Sequence, residues 1–248
     1  MIKIKSLQEV QKMRTAGRIV AEVFEVIKPS IVPGITTREL DKIAAEHIKK
    51  SGAGCSFYNY GGFPGHVCIS VNDEVIHGIP GKRRLADGDI VSVDVGASID
   101  GYHGDAARTF AVGEISPEAR KLIDVTEASF WRGMEFAKPG MRLGDISANI
   151  QKVVEENGFS VVRNFVGHGI GSALHEDPEV PNFGAEGRGP RLISGMTIAV
   201  EPMVNIGTYQ VNTLSDDWTV VTADGKLSAH YENTVLITSD GVEVLTKC

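Results

Sequence analysis

The chain has 248 residues, 42% apolar and 23% charged, enough to bury a sizeable core but too few for two large domains. Its net charge of −7, with no lysine- and arginine-rich run to offset it, excludes a general nucleic-acid binder and predicts no specific DNA partner. Charge interrupts the apolar residues of "MIKIKSLQEVQKMR", and no window approaches the ~18 uninterrupted apolar residues of a membrane span, so neither a signal peptide nor a membrane anchor is expected.

Apolar residues at helical spacing predict two opening helices, at roughly 6–28 (Val20, Val23, Phe24, Ile27) and 36–51 (Leu40, Ile43, Ala44, Ile48). Thr36 followed by Glu39 makes a capping box for the second. Val/Ile runs then signal strands, and "VSVDVGASIDGYHGDAARTF" (91–110) reads as a hairpin turning at Asp100-Gly101. Two further helices are predicted near 116–137 and 143–157, the first opened by Ser116 as N-cap and Pro117 as first helical residue. The remaining strands are marked by Asp-Gly turns at 224–225 and 240–241, and no stretch has the composition of a linker.

The order repeats. "PGITTREL" at Pro33 and "PGMRLGDI" at Pro139 are 106 residues apart, as are Gly52 and Gly158, while "GDIVSVD" (88–94) and "GMTIAVE" (195–201) are 107 apart. Each half therefore runs helix, Pro-Gly turn, helix, glycine, then strands ending on an acid. The expected architecture is α+β: one domain over 1–248, made of related halves of about 1–112 and 113–248, with an antiparallel sheet and helices over one face.

The acids are the residues out of place. A two-residue turn at Asp100-Gly101 sets Asp105 opposite Gly96, with Asp94 diagonal to Asp105 on the same face, about 7–8 Å away by Cα. Pseudo-twofold packing of the halves would bring Glu201 toward the same centre. Three unpaired buried carboxylates are too costly to keep without a cation. Glu232 in "AHYENTVLI" and His168 and His175 in "GHGIGSALHEDP" add candidates. Imidazole with several carboxylates suits Mn, Fe, Co or Zn, and bridging carboxylates suit two ions, which points to hydrolysis. The cysteines, Cys55, Cys68 and Cys248, are odd in number and lack CxxC spacing; they predict reduced thiols in a cytoplasmic protein, with neither disulfide nor zinc knuckle.

Asp94, Asp105, His168, Glu201 and Glu232, with His77 in "VIHGIP" and His175 in "LHEDP", resemble the type I methionine aminopeptidases, and the resemblance runs through "VCISVNDEVIHGIPG", "DGDIVSVDVG", "GYHGDAARTF", "GHGIG", "TIAVEP" and "YENTV" in order. It implies the pita-bread fold shared with creatinase and prolidase, and metal-dependent removal of the initiator methionine, preferably before a small second residue. In the family's scheme Asp94 chelates one metal, Asp105 and Glu232 bridge the two, and His168 and Glu201 complete the other. The two divalent ions would be Co, Mn, Fe or Zn and would supply the hydroxide that attacks the first peptide bond, with Glu201 also as proton shuttle. His175 would donate to the scissile carbonyl and His77 would contact the amide nitrogen of the second residue. Tyr60, Phe63, Cys68, Leu174 and Trp218 would receive the methionine side chain, although Leu174 stands where an aromatic is common in the family and Phe57 where a smaller residue is.

The partners implied are the N-termini of nascent polypeptides, with any transient ribosome contact made by the catalytic domain's own surface and a monomer as the working unit. Xaa-Pro peptidases share the ligand set but usually carry a large N-terminal domain, whereas this chain starts almost directly on its first helix. A noncatalytic binding protein on the same scaffold need not keep all five ligands. A type II enzyme would need a helical insertion for which there is no room between His175 and Glu201. His103 is read as a turn-flanking surface histidine, and His230 as a noncatalytic polar neighbour.

Overall fold

Ser6 and Glu9 close a capping box around the first turn of helix α1 (Leu7–Ile27), which buries Val10, Met13, Ile19, Val20, Val23, Phe24 and Ile27 on one side. The computed structural model describes all 248 residues. In α2 (Thr37–Lys50) the expected box is present, Glu39 N donating to Thr36 Oγ1 (3.2 Å) and Thr36 N to the Glu39 carboxylate (2.8 Å). The strands that follow are β1 (Gly54–Cys55), β2 (Cys68–Val71), β3 (Glu74–Ile76), β4 (Ile90–Ile99) and β5 (Tyr102–Ala111).

The second half opens with α3 (Pro117–Met134), capped by Ser116, whose Oγ accepts from Ala119 N at 3.1 Å. This helix stops three residues short of the expected end. Phe136 N and Ala137 N bond three residues back, to Gly133 O and Met134 O, a tightening of the last turn ahead of Pro139. Then come α4 (Leu143–Glu156), β6 (Ser160–Val161), β7 (Gly167–Gly169), β8 (Glu176–Val180), β9 (Thr197–Val200), β10 (Met203–Asn205), β11 (Val211–Thr213), β12 (Val220–Thr222), β13 (Ser228–His230), β14 (Asn233–Ile237) and β15 (Val242–Val244). No helix is long and apolar enough to cross a membrane.

The strands form four hydrogen-bonded sheets, all antiparallel: β1 and β2 on one edge of β4 with β5 on the other; β13-β10-β6; β11-β12-β3; and β15-β14-β9-β7-β8. The β4–β5 hairpin turns at Asp100 (φ 51°) and Gly101 (φ 77°) and sets Gly96 opposite Asp105 as expected. The other two Asp-Gly pairs differ from expectation. Asp224-Gly225 joins strands that do not pair with each other, since β12 lies between β11 and β3 while β13 lies on β10. In the β14–β15 hairpin Ile237 faces Val242, which centres the turn on Ser239-Asp240; Thr238 N donates to Gly241 O at 2.9 Å across it.

The halves meet at β5 and β14. Ala107 and Glu232 exchange backbone bonds (Ala107 N to Glu232 O, 3.3 Å; Glu232 N to Ala107 O, 3.0 Å), and Thr234 Oγ1 accepts from Asp105 N and donates to Asp105 O. Arg108 crosses the seam, its guanidinium donating to Ala107 O, Glu232 O and Asn233 Oδ1 and lying over the Tyr231 ring. One core packs α1 and α2 on β2, β4 and β5; others pack α3 and α4 on strands of the second half. A smaller cluster, with Met13, Phe57, Phe63, Cys68, Ile170, Leu174 and Leu236, joins the halves beneath the acids. α1 comes close enough to β5 that a Cβ on Gly104 would strike the Gly17 backbone.

Candidate functional site

The β4–β5 register puts Asp94 and Asp105 on one face of the hairpin, two residues out of direct opposition. Across the seam Asn233 faces Val200, and continuing that register by one pair sets Glu232 against Glu201, just beyond the end of β9. Both strand pairs thus deliver two acids to one point. Gly96, opposite Asp105, leaves room for the Phe57 ring, which a Cβ there would strike.

The fifth candidate comes from "GHGIG". It is no helix: Gly167–Gly169 forms a strand between β8 and β9, and a Cβ at Gly167 or Gly169 would collide with neighbouring carbonyls. His168 Nδ1 lies 2.9 Å from its neighbour Gly169 O, to which it donates, leaving Nε2 as an unprotonated donor atom for a cation. That Nε2 is 3.8 Å from Asp105 Oδ2 and 3.9 Å from Glu201 Oε1. Ligand atoms of Asp105, His168 and Glu232 lie within 4.8 Å of one another, a span that one ion can fill.

The electrostatics are those of a cation site. Burial raises the Asp94 carboxyl to about 7. Asp105, Glu201 and Glu232 are held well above the usual carboxylate range, first by burial and then by one another's charge and that of Asp94. Asp94 Oδ1, Asp105 Oδ1 and Glu232 Oε1 are buried with no hydrogen-bond partner. Oxygen donors with one imidazole, unpaired and converging, fit a divalent metal ion.

The five ligand candidates, His77 and His175, and the pocket candidates Phe57, Tyr60, Phe63, Cys68, Leu174 and Trp218 line one cavity of about 180 Å³, with Gly61 beside them. Cys68 faces Asp94 across the β2–β4 ladder, so the apolar wall and the acids share a boundary. Burial pushes the Cys68 thiol well up, leaving it a packing group. His175 Nδ1 is 2.7 Å from the Tyr60 hydroxyl, and its ring lies 4.2 Å from that of His168. His77 sits edge-on to Trp218 and Phe165 with a left-handed backbone (φ 59°), a conformation held against local cost. Burial lowers His77 and His168 to about 4 each and lowers His175, so all three are neutral at pH 7.

One histidine, His103, differs from its sequence reading, and His230 has a setting more specific than its sequence reading. His103 is not a free surface side chain: its Nδ1 is 2.9 Å from Ser56 Oγ and its backbone N donates to Gly171 O, tying the hairpin to the loop that carries His175. His230 is 2% exposed and lies directly against Glu201 and Glu232. Its signal was present in "AHYE", where period-two alternation places His230 and Glu232 on one side of extended backbone.

Residues 11–239 match the sequence profile of metallopeptidase family M24. The chain belongs to this family. It is 61% identical to a methionine aminopeptidase of Clostridium perfringens, with 99% of each chain covered, and 55% identical to methionine aminopeptidase 1 of Bacillus subtilis over the whole of both. Its structure superposes on the crystal structure of a methionine aminopeptidase from Thermotoga maritima with a TM-score of 0.99 at 46% identity, covering both chains fully. A prolidase from Pyrococcus furiosus shares the fold at a TM-score of 0.81 and 24% identity, with this chain covering 65% of it. Like these M24 structures, the protein has the pita-bread fold, and as a metallopeptidase it binds divalent metal. That agrees with the unpaired carboxylates at its centre.

Proposed function

We propose that this protein is a type I methionine aminopeptidase that removes the initiator methionine from nascent polypeptides and peptides, preferably before a small second residue. The observation that carries the reading is the junction of an apolar pocket with a cluster of unpaired buried acids in one cavity. At about 180 Å³ it is smaller than the ~300–1,000 Å³ of pockets that take drug-sized ligands, and it suits one side chain.

Asp94, Asp105, His168, Glu201 and Glu232 would hold two divalent ions (Co, Mn, Fe or Zn), which when bound supply a hydroxide nucleophile at neutral pH and polarise the scissile carbonyl. The protein's own groups do the rest. Phe63, Trp218, Leu174, Tyr60 and Cys68 pack the thioether side chain, which tolerates aromatic and aliphatic walls alike. Because Cys68 and Asp94 are register partners, a methionine resting on Cys68 brings its free α-amine next to Asp94. His175 Nδ1 lies 2.7 Å from the Tyr60 hydroxyl; with that hydroxyl as the donor the imidazole proton is on Nε2, and that N–H would donate to the carbonyl oxygen as charge develops there. His77 meets the amide of the second residue. Glu201, whose carboxyl is held above its usual range, takes up and returns the proton.

In this reading residues 1–248 are one catalytic domain of two related halves, about 1–112 and 113–248, working as a monomer in the cytoplasm. The test is methionine release from Met-Gly and Met-bulky peptides, beside an Xaa-Pro peptide, by metal-stripped protein given Co, Mn, Fe or Zn separately. Metal-dependent cleavage confined to methionine before a small residue is expected. Cleavage only before proline would assign the chain to the prolidase branch, and inactivity with every metal would sink the enzymatic reading.

A further inference from the structure

His230, the last residue of β13, is fixed from the backbone outward: its N–H donates to Thr109 Oγ1 (2.9 Å), which donates to His230 O (2.9 Å). The imidazole is buried, and its Nε2 has no hydrogen-bond partner. It lies 3.7 Å from Glu201 Oε2 and 4.0 Å from Glu232 Oε2. The other Glu201 oxygen, Oε1, is the one near His168. Glu201 therefore lies between two imidazoles, one oxygen toward each. The two imidazoles are not equivalent, because His168 lines the cavity and His230 does not. The Oε1 side of Glu201 is thus the side of the cavity-lining His168, and the Oε2 side is that of His230. A buried imidazole nitrogen is costly to leave unpaired, and the terminal torsion of a glutamate is soft enough to bring Oε2 within hydrogen-bond reach.

We infer that His230 is a positioning residue for the metal centre: its Nε2–H holds Glu201 Oε2, with Glu232 Oε2 beside it, so that Glu201 offers Oε1 alone to the cation. The inference rests on the proposed metal site. Such outer partners fix the direction and the basicity of a ligand, and their loss typically weakens metal binding 10–100-fold.

The experiment titrates Mn²⁺ alone into metal-stripped wild type, His230→Ala and His230→Gln by calorimetry, with near-UV circular dichroism reporting the fold and visible absorption recorded for each Co²⁺ form. His230→Ala should bind Mn²⁺ about 10–100-fold more weakly. His230→Gln, which keeps an N–H donor, should recover most of that affinity with a Co²⁺ spectrum like that of wild type. Should His230→Ala fail to fold, His230→Leu takes its place. Affinity within twofold of wild type in the alanine or leucine variant overturns the inference. So does a shifted Co²⁺ spectrum with lost stoichiometry in both alanine and glutamine variants, which would make His230 a ligand itself. Absence of Mn²⁺ binding by wild type would instead remove the metal-site reading, and the inference with it.

Discussion

His175 and Asp105 lie in one cavity, and the proposed mechanism gives them separable duties. His175 is held by Tyr60 and touches no unpaired acid, so His175→Ala should lower kcat by 10²-fold or more while metal content, read by elemental analysis, stays at the wild-type level. Metal loss in that variant would reassign the residue. Asp105 is 3% exposed with an unpartnered oxygen, and Asp105→Asn removes a charge from the point where the ligand atoms converge. That variant should fall below half of wild-type metal content under the same dialysis; unchanged content would place the ions elsewhere. The acids were legible in the sequence because they interrupt apolar strands, whereas His230 was read only as a noncatalytic polar neighbour, since its contact with Glu201 and Glu232 depends on how the strands pack. Tyr60 was legible only as a pocket wall. Its bond to His175 spans 115 residues of chain, and no local pattern encodes it.

Among the elements, α1 sets the stability of the first half. Gly17 packs against the Leu245 carbonyl and Gly104 against the Gly17 backbone, contacts between main chains that no rotamer change relieves. Gly104→Ala should cost about 1–3 kcal/mol, seen as a lower urea midpoint with an unchanged slope; an unchanged midpoint would show that the helix can lift away freely. The start of α1 also carries a pH dependence. Glu9 accepts from the Tyr102 hydroxyl and from Ser6 N, which lowers its pKa from 4.5 to about 2. Because the folded value lies below the unfolded one, its stabilisation is complete above pH 4.5 and is lost as pH falls toward 2. Tm measured across that window should fall less steeply in Glu9→Gln than in wild type, and parallel curves would count against the account. The four helices and the caps at Thr36 and Ser116 were readable from local spacing. The end of α3 was not, because Pro139 acts on the residues before it.

For the whole molecule, folding brings four carboxylates from two halves into a buried centre, and in the proposed metal site a cation relieves their repulsion. Chelation should therefore lower Tm, and Mn²⁺ should restore it in a concentration-dependent way, by about 2.7 kcal/mol at a hundredfold excess over Kd. A Tm indifferent to chelator and to Mn²⁺ would contradict a metal-stabilised fold. The sequence by itself determined the helices, the hairpin at Asp100-Gly101 and the order of the repeat, because helical spacing, caps and turn residues act over a few positions. It also marked the acids as misplaced, because desolvation makes buried charge conspicuous in any strand. Only the tertiary structure decided that β5 and β14 meet at the seam, that the strands divide into four sheets, and that His230 lies beside Glu201 and His103 against Ser56. Those contacts join residues far apart in the chain, and their energies depend on which surfaces the two halves bury against each other.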